Sequence, residues 1–152
     1  MCLITKNPIQ IAETDITVFK ALTVHGDSLK APFQDFTYKK GELYKTNIEP
    51  SHEWVVVDFT SFYHLYHELK ALGILYESNL IMYATELTEN GYKCYGQGFH
   101  SFSNKNRCDE FCKPKYINSV PVRCTIPAGS EYIIDETGCV ISNQIIINEV
   151  LL

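Results

Sequence analysis

The stretch Asp15-Ile16-Thr17-Val18-Phe19-Lys20-Ala21-Leu22-Thr23-Val24 decides the fold class of the chain. It is rich in β-branched residues and alternates well enough to predict a first strand. Similar signals predict two short strands about a turn at Lys40-Gly41, and further strands at 54–59, 80–87, 92–95, 120–127, 131–134 and 139–152. Because Pro121 and Pro127 interrupt the strand at 120–127, we expect it at a sheet edge or near a strand end.

One long helical pattern interrupts the predicted strands. Apolar residues recur at three- and four-residue steps over 62–72, Thr60 or Ser61 offers an N-cap hydroxyl, and Gly73 follows the last apolar position. Residues 105–112 add a helical turn. Because strands outnumber helices and do not alternate with them regularly, we predict a single α+β domain over 1–152. Its twisted sheet should be mainly antiparallel or mixed.

Composition and charge limit the classes of function. With 152 residues, 45% of them apolar, the chain can bury a core of its own, and no apolar run approaches the about 18 residues of a membrane span. Thirteen basic and eighteen acidic residues give a net charge of −5, which argues against general nucleic-acid binding. Residues 1–13 show no signal peptide. We therefore expect a cytoplasmic protein without membrane or nucleic-acid partners, whose cysteines stay reduced.

Four potential zinc ligands fall close together in the sequence. Three thiols and one imidazole, the number of ligands that tetrahedral zinc prefers, come from Cys94, His100, Cys108 and Cys112. Their spacing lacks the Cys-x2-Cys knuckle of common zinc sites. We therefore predict no metal here, and a zinc-stabilised interaction module stays as an alternative.

The most specific local string is Gly98-Phe99-His100-Ser101-Phe102-Ser103. Its glycine permits a close backbone approach, its aromatic rings offer stacking surface, and its hydroxyls and imidazole can form hydrogen bonds. The string therefore predicts a ligand pocket. The alternative is an ordinary strand whose alternate residues point into the core.

Three pieces of the sequence carry a resemblance to known proteins. They are the opening stretch at 15–20, the central string at 98–102, and the closing Cys124-Thr125-Ile126-Pro127-Ala128-Gly129-Ser130-x-Tyr132. Together they resemble a group of small proteins found in phages and in prophages of gut bacteria. Their order also resembles the ADP-ribosyltransferase fold. That family has an Arg or His on its first strand, a central Ser-Thr-Ser strand, and a Pro-x-Gly turn before a Glu-x-Glu strand.

The resemblance implies a set of site residues. Lys20 falls where the family has its NAD-anchoring Arg or His, and Ser101 and Ser103 fall on the outer serines of the Ser-Thr-Ser strand. The acidic pair of the last motif becomes Ser142 and Gln144. In the family the second Glu holds a ribose hydroxyl and stabilises positive charge in the transition state, which a neutral amide does poorly. The resemblance therefore implies a nucleotide pocket without ordinary transferase activity.

One leading hypothesis and two alternatives follow. The leading hypothesis is a non-catalytic binding protein of phage or mobile-element type on a degenerate ADP-ribosyltransferase-like scaffold. Its ligand is a nucleotide-like small molecule, with NAD as one possibility, or a host protein, held by Lys20, His100, Ser101, Ser103 and Gln144. The first alternative is an active NAD-dependent ADP-ribosyltransferase or NAD glycohydrolase in which His100 replaces the acid. The second alternative is the zinc-stabilised interaction module.

Overall fold

The computed structural model describes residues 3–32, 35–51, 55–56, 71, 81–82, 91–113 and 118–151. The strands in these ranges are β1 (Leu3–Thr5), β2 (Gln10–Ile11), β3 (Ile16–His25), β4 (Ser28–Lys30), β5 (Thr37–Tyr38), β6 (Leu43–Lys45), β7 (Glu49–Ser51), β8 (Val55–Val56), β9 (Ile81–Met82), β10 (Lys93–Gln97), β11 (Phe99–Phe102), β12 (Val120–Ile126), β13 (Glu131–Ile134), β14 (Cys139–Ser142) and β15 (Gln144–Val150). The helix is α1 (Lys105–Cys112).

The α+β prediction is confirmed at the level of the class. Every strand pairing within the described residues is antiparallel, and α1 covers the helical turn predicted at 105–112. The first predicted strand is β3. The helix predicted at 62–72 lies outside the described residues except for Ala71, which is helical.

The large sheet is organised around β3 and β12. Its strand order is β2-β13-β14-β11-β3-β12-β15-β6. Outside this order, β4 pairs with β3, and β5 pairs with β4. β3 and β12 pair over seven residues, from Leu22 opposite Val120 to Ile16 opposite Ile126. β12 therefore lies inside the sheet, so of the two alternatives expected from its prolines, the sheet edge is wrong and the position near the strand ends is confirmed. The prolines lie near its ends, because Pro121 is its second residue and Pro127 follows its last, so few ladder hydrogen bonds are lost.

A bend at Asn143 curls the large sheet. β14 and β15 are separated in sequence by Asn143 alone, yet β11, β3 and β12 lie between them in the sheet. The Asn143 backbone N–H donates to the Glu131 carbonyl at 3.1 Å, and its side-chain oxygen accepts from the Glu131 N–H at 2.9 Å. One extended segment thus changes its pairing partners at a corner, as strands do where a sheet folds over on itself.

The two faces of the large sheet are covered differently, one by a cluster of side chains from the strands and the other by α1. One side, which we call the interior face, carries a buried cluster formed by Val18, Leu22, Leu29, Tyr38, Phe99, Val122, Cys124, Ile126, Val140, Ile145 and Ile147. On the other side, α1 packs Cys108 against Ala21 of β3 and Phe102 of β11. Asn104 starts α1 as an N-cap, because its side-chain oxygen accepts from the Asn106 N–H at 2.7 Å.

Two smaller sheets complete the described structure. β1, β10 and β7 form one of them, and β8 and β9 form the other. Leu3 and Tyr95 from the three-stranded sheet pack against Ile133 and Ile141 of the large sheet. No helix within the described residues is long and apolar enough to cross a membrane.

Candidate functional site

Lys20 is a charged residue on the interior face. Along β3, Val18, Lys20 and Leu22 share one side because successive strand residues alternate, and both neighbours belong to the interior cluster. The Lys20 side chain is only 8% exposed. Its ammonium donates a hydrogen bond to the backbone carbonyl of His100 and lies 5.6 Å from the centre of the Tyr38 ring. The structure thus places a lysine ammonium inside the fold.

Ser101 lies beside Lys20 on the neighbouring strand. Phe102 of β11 is opposite Phe19 of β3, so the antiparallel register places Ser101 opposite Lys20. Ser101 is 2% exposed, and its hydroxyl has no hydrogen-bond partner among the residues that the structure describes. Buried hydroxyls are usually paired, because leaving one unpaired costs about 1–3 kcal/mol. An ammonium and an unsatisfied hydroxyl therefore lie on adjacent strands of one buried face.

No described group close to the ammonium carries a negative charge at neutral pH. Burial lowers the pKa of Lys20 to about 8, and its electrostatic interactions with Cys124 and Cys108 oppose that shift. Burial also raises the pKa of the Cys124 thiol to about 12 and raises the pKa of the Tyr38 hydroxyl. At pH 7 these acids are neutral while Lys20 is mostly protonated. We call Lys20, Ser101, Tyr38 and Cys124 the Lys20 site.

His100 contributes its backbone rather than its ring to the Lys20 site. Alternation along β11 puts His100 on the opposite face from Ser101. Its Nε2 is 3.2 Å from the Gly96 carbonyl, and because a carbonyl can only accept, Nε2 carries the hydrogen. Burial lowers the pKa of His100 to about 4; the Gly96 hydrogen bond opposes this shift and the Lys20 charge adds to it. The imidazole is therefore neutral at physiological pH.

The other two predicted site residues lie apart from this group. Ser103 follows the end of β11, where it is exposed and its N–H donates to the Gly138 carbonyl at 2.8 Å. Gln144 begins β15 opposite Lys45 of β6. Since the adjacent Ile145 points into the interior cluster, alternation directs Gln144 to the other face. The structure therefore brings together Lys20, Ser101 and the His100 backbone, but not Ser103 or Gln144.

The four potential zinc ligands are not assembled either. Cys94 lies buried in β10 of the three-stranded sheet, whereas Cys108 and Cys112 lie on α1 against the large sheet. Within the described residues, no group of three or more His, Cys, Asp or Glu side chains could hold a metal ion. The geometry gives the zinc module no support.

Sequence reasoning missed two members of the Lys20 site. Tyr38 comes from a short strand far from the central string, and Cys124 lies on β12, which contributes none of the predicted site residues. Lys20 itself offered a signal, because it occupies the same alternating positions as Val18 and Leu22. A lysine at a position that alternation directs inward is a candidate buried cation.

Comparisons with known proteins add no relative to this picture. No family model, no curated protein and no solved structure matches the chain.

Proposed function

We propose that this chain is a non-catalytic binding protein that holds a nucleotide-like anion at the Lys20 site. The observation that carries the proposal is the buried Lys20 ammonium, whose hydrogen-bond partner among the described residues is one neutral carbonyl. An ammonium has three donors, and burying it without a counter-charge is unfavourable. A bound anion would supply both the missing charge and the missing acceptors.

Ser101 supports a ligand that carries several oxygen atoms. Its unpaired hydroxyl can donate to one oxygen while Lys20 donates to another, and the two residues face each other across neighbouring strands. Phosphate and ribose groups present such oxygens close together. The Tyr38 ring beside Lys20 adds an aromatic surface. The degenerate ADP-ribosyltransferase-like scaffold and the phage or mobile-element origin stay part of this proposal on the sequence resemblance alone.

Catalysis through His100 is the less favoured alternative. A histidine that replaced the missing acid would have to act beside the ligand held by Lys20, but the His100 ring lies on the opposite face of β11 from Ser101. Its low pKa also leaves no imidazolium to stabilise an anion or donate a proton at neutral pH. These features favour binding without bond cleavage.

The test is a calorimetric titration with NAD, ADP-ribose and AMP, followed by an assay of the cell contents for free nicotinamide. We expect heat of binding without release of nicotinamide. Lys20→Met should weaken binding about tenfold or more, because it keeps the side-chain length but removes the charge. Lys93→Met, at an exposed position of β10, is the matched control and should bind as the unchanged protein does.

Each other outcome points elsewhere. Release of nicotinamide that disappears in His100→Gln would establish the enzyme instead. Absence of heat with all three ligands at millimolar concentration would contradict a nucleotide-like ligand, and capture of a host protein by the immobilised chain would then support the protein partner. Because Lys20→Met removes a buried charge rather than a packing group, we expect it to fold. Its loss of binding would therefore report on the site.

A further inference from the structure

A second cavity opens at the far end of β3, away from the Lys20 site. It is an open cleft of about 480 Å³ beside the β3–β4 hairpin. Its apolar lining comes from Val24, Leu29 and Val150, and its charged lining comes from Lys39, Lys40 and Asp27. Val24 is four strand residues from Lys20, a backbone separation of about 13 Å. The cleft is therefore a separate site.

The charges around this cleft are unpaired. Within the described chain, Lys39, Lys40 and Asp27 take part in no ion pair, and all three are exposed. Val24 is 49% exposed although it is aliphatic, while Leu29, which lies opposite it on β4, is buried. Within the described residues, the cleft thus presents two cations and one carboxylate outside any ion pair, beside the exposed side chain of Val24.

The walls of the cleft are held in place by the backbone. Gly26, with φ of +60°, is the first of the two residues that turn β3 into β4, a position where hairpin turns of type II′ favour glycine. At the lysines of the lining, the Lys39 N–H donates to the Tyr44 hydroxyl at 2.7 Å, and the N–H of Gly41, which follows Lys40, donates to the Ile147 carbonyl at 2.7 Å. A cleft with fixed walls binds a ligand at less entropic cost.

We propose that this cleft binds a short zwitterionic peptide with aliphatic side chains. Lys39 and Lys40 match its carboxylate, Asp27 matches its ammonium group, and the apolar lining, exposed at Val24, matches its side chains. The volume lies within the range of about 300–1,000 Å³ in which small-molecule sites fall. A simple anion would use the lysines alone and would be repelled by Asp27, so the charge pattern favours the zwitterion.

The experiment is a calorimetric titration with the dipeptide leucyl-leucine and three comparators. N-acetyl-leucyl-leucine removes the ammonium group, leucyl-leucinamide removes the carboxylate, and glycyl-glycine removes the aliphatic side chains. We expect leucyl-leucine to bind and each comparator to bind about tenfold or more weakly. Equal binding of leucyl-leucine and its comparators, or no binding of leucyl-leucine at millimolar concentration, would overturn the proposal.

Matched variants then locate the binding to the cleft. Lys40→Met should weaken the binding of leucyl-leucine about tenfold and leave the binding of leucyl-leucinamide, which lacks the carboxylate, unchanged. Asp27→Asn should weaken the binding of leucyl-leucine about tenfold and leave the binding of N-acetyl-leucyl-leucine, which lacks the ammonium group, unchanged. Lys93→Met and Asp35→Asn change exposed residues outside the cleft and should leave binding as it was. Binding that survives both cleft variants at full strength would place the peptide elsewhere and contradict the proposal.

Discussion

The two faces of β3 are both buried, but they bury different chemistry. Toward α1, Phe19 and Ala21 of β3 pack in a cluster of aromatic rings, an alanine and thiols. Toward the interior, Lys20 occupies the corresponding position between two aliphatic residues. The helix side shows that this fold can cover a face of β3 with uncharged side chains alone. Packing therefore does not require a charged group on the other face, and this supports a role for Lys20 in binding.

The largest expected change in the free energy of unfolding comes from replacing the phenylalanines of β11, one of which lies on each face. Phe102 faces α1, with its ring centre 5.5 Å from that of Phe111, whereas Phe99 faces the interior, 6.3 Å from Tyr38. Replacing either buried phenylalanine with alanine should lower the free energy of unfolding by about 3–5 kcal/mol, because transfer and cavity costs add. Urea denaturation of Phe102→Ala and Phe99→Ala measures both effects.

Hydrogen exchange separates the two faces. Phe102 packs against the helix, whereas Phe99 packs in the interior cluster. When the two variants are compared under conditions that give them the same free energy of unfolding, Phe102→Ala should therefore increase exchange of the α1 amides more than Phe99→Ala does. Each variant is thus the control for the other. Equal loss of protection in α1 would mean that the two faces do not pack independently.

A smaller effect of opposite sign is expected for Lys20→Met. The pKa of Lys20 falls from 10.5 to about 8 on folding, so at pH 7 the folded state bears a cost of about 3 kcal/mol for keeping the ammonium buried. Loss of the hydrogen bond to His100 offsets about 1 kcal/mol of the gain. Lys20→Met should therefore raise the free energy of unfolding at pH 7 by about 2 kcal/mol.

The pH dependence gives this prediction its control. Between pH 8 and 10 the unfolded chain retains the Lys20 proton that the folded chain releases, so the cost of burying Lys20 should fall with pH through this window. Buried thiols such as Cys124, whose pKa is raised, lower stability with pH in the same window, so the measured quantity is the difference between each variant and the unchanged protein. The stability gain of Lys20→Met over the unchanged protein should shrink from pH 8 to 10, whereas the difference between Lys93→Met and the unchanged protein should stay constant. A gain for Lys20→Met that stays level from pH 8 to 10 would show that Lys20 is not buried as an ammonium.

Local patterns predicted the elements of the fold better than their arrangement. Alternation located β3, and residues 105–112 form α1 as expected, because these signals depend on near neighbours in sequence. The sheet order depends instead on pairing between distant segments. The central place of β12 and the corner at Asn143 are of this kind, so the prolines of β12 indicated its ends but not its central position in the sheet.

The candidate site was predicted in part for the same reason. Lys20 and Ser101 could be chosen from their own strands, and the register then placed them opposite each other. Gln144 was chosen by resemblance to a motif, but which face its side chain occupies follows from Ile145 beside it in β15. Tyr38 reaches Lys20 through tertiary packing that no local pattern encodes.

The smallest effect concerns the unpaired hydroxyl of Ser101. Ser101→Ala should raise the free energy of unfolding by about 1 kcal/mol, because it removes a buried polar group that has no partner. Ser142, on the neighbouring strand β14, is equally buried, but its hydroxyl donates to the Gln144 carbonyl at 3.0 Å. Ser142→Ala should therefore lower stability by about 1 kcal/mol. The shift of the urea midpoint measures both changes, and a loss of stability in Ser101→Ala equal to that in Ser142→Ala would show that its hydroxyl is paired and not free for a ligand.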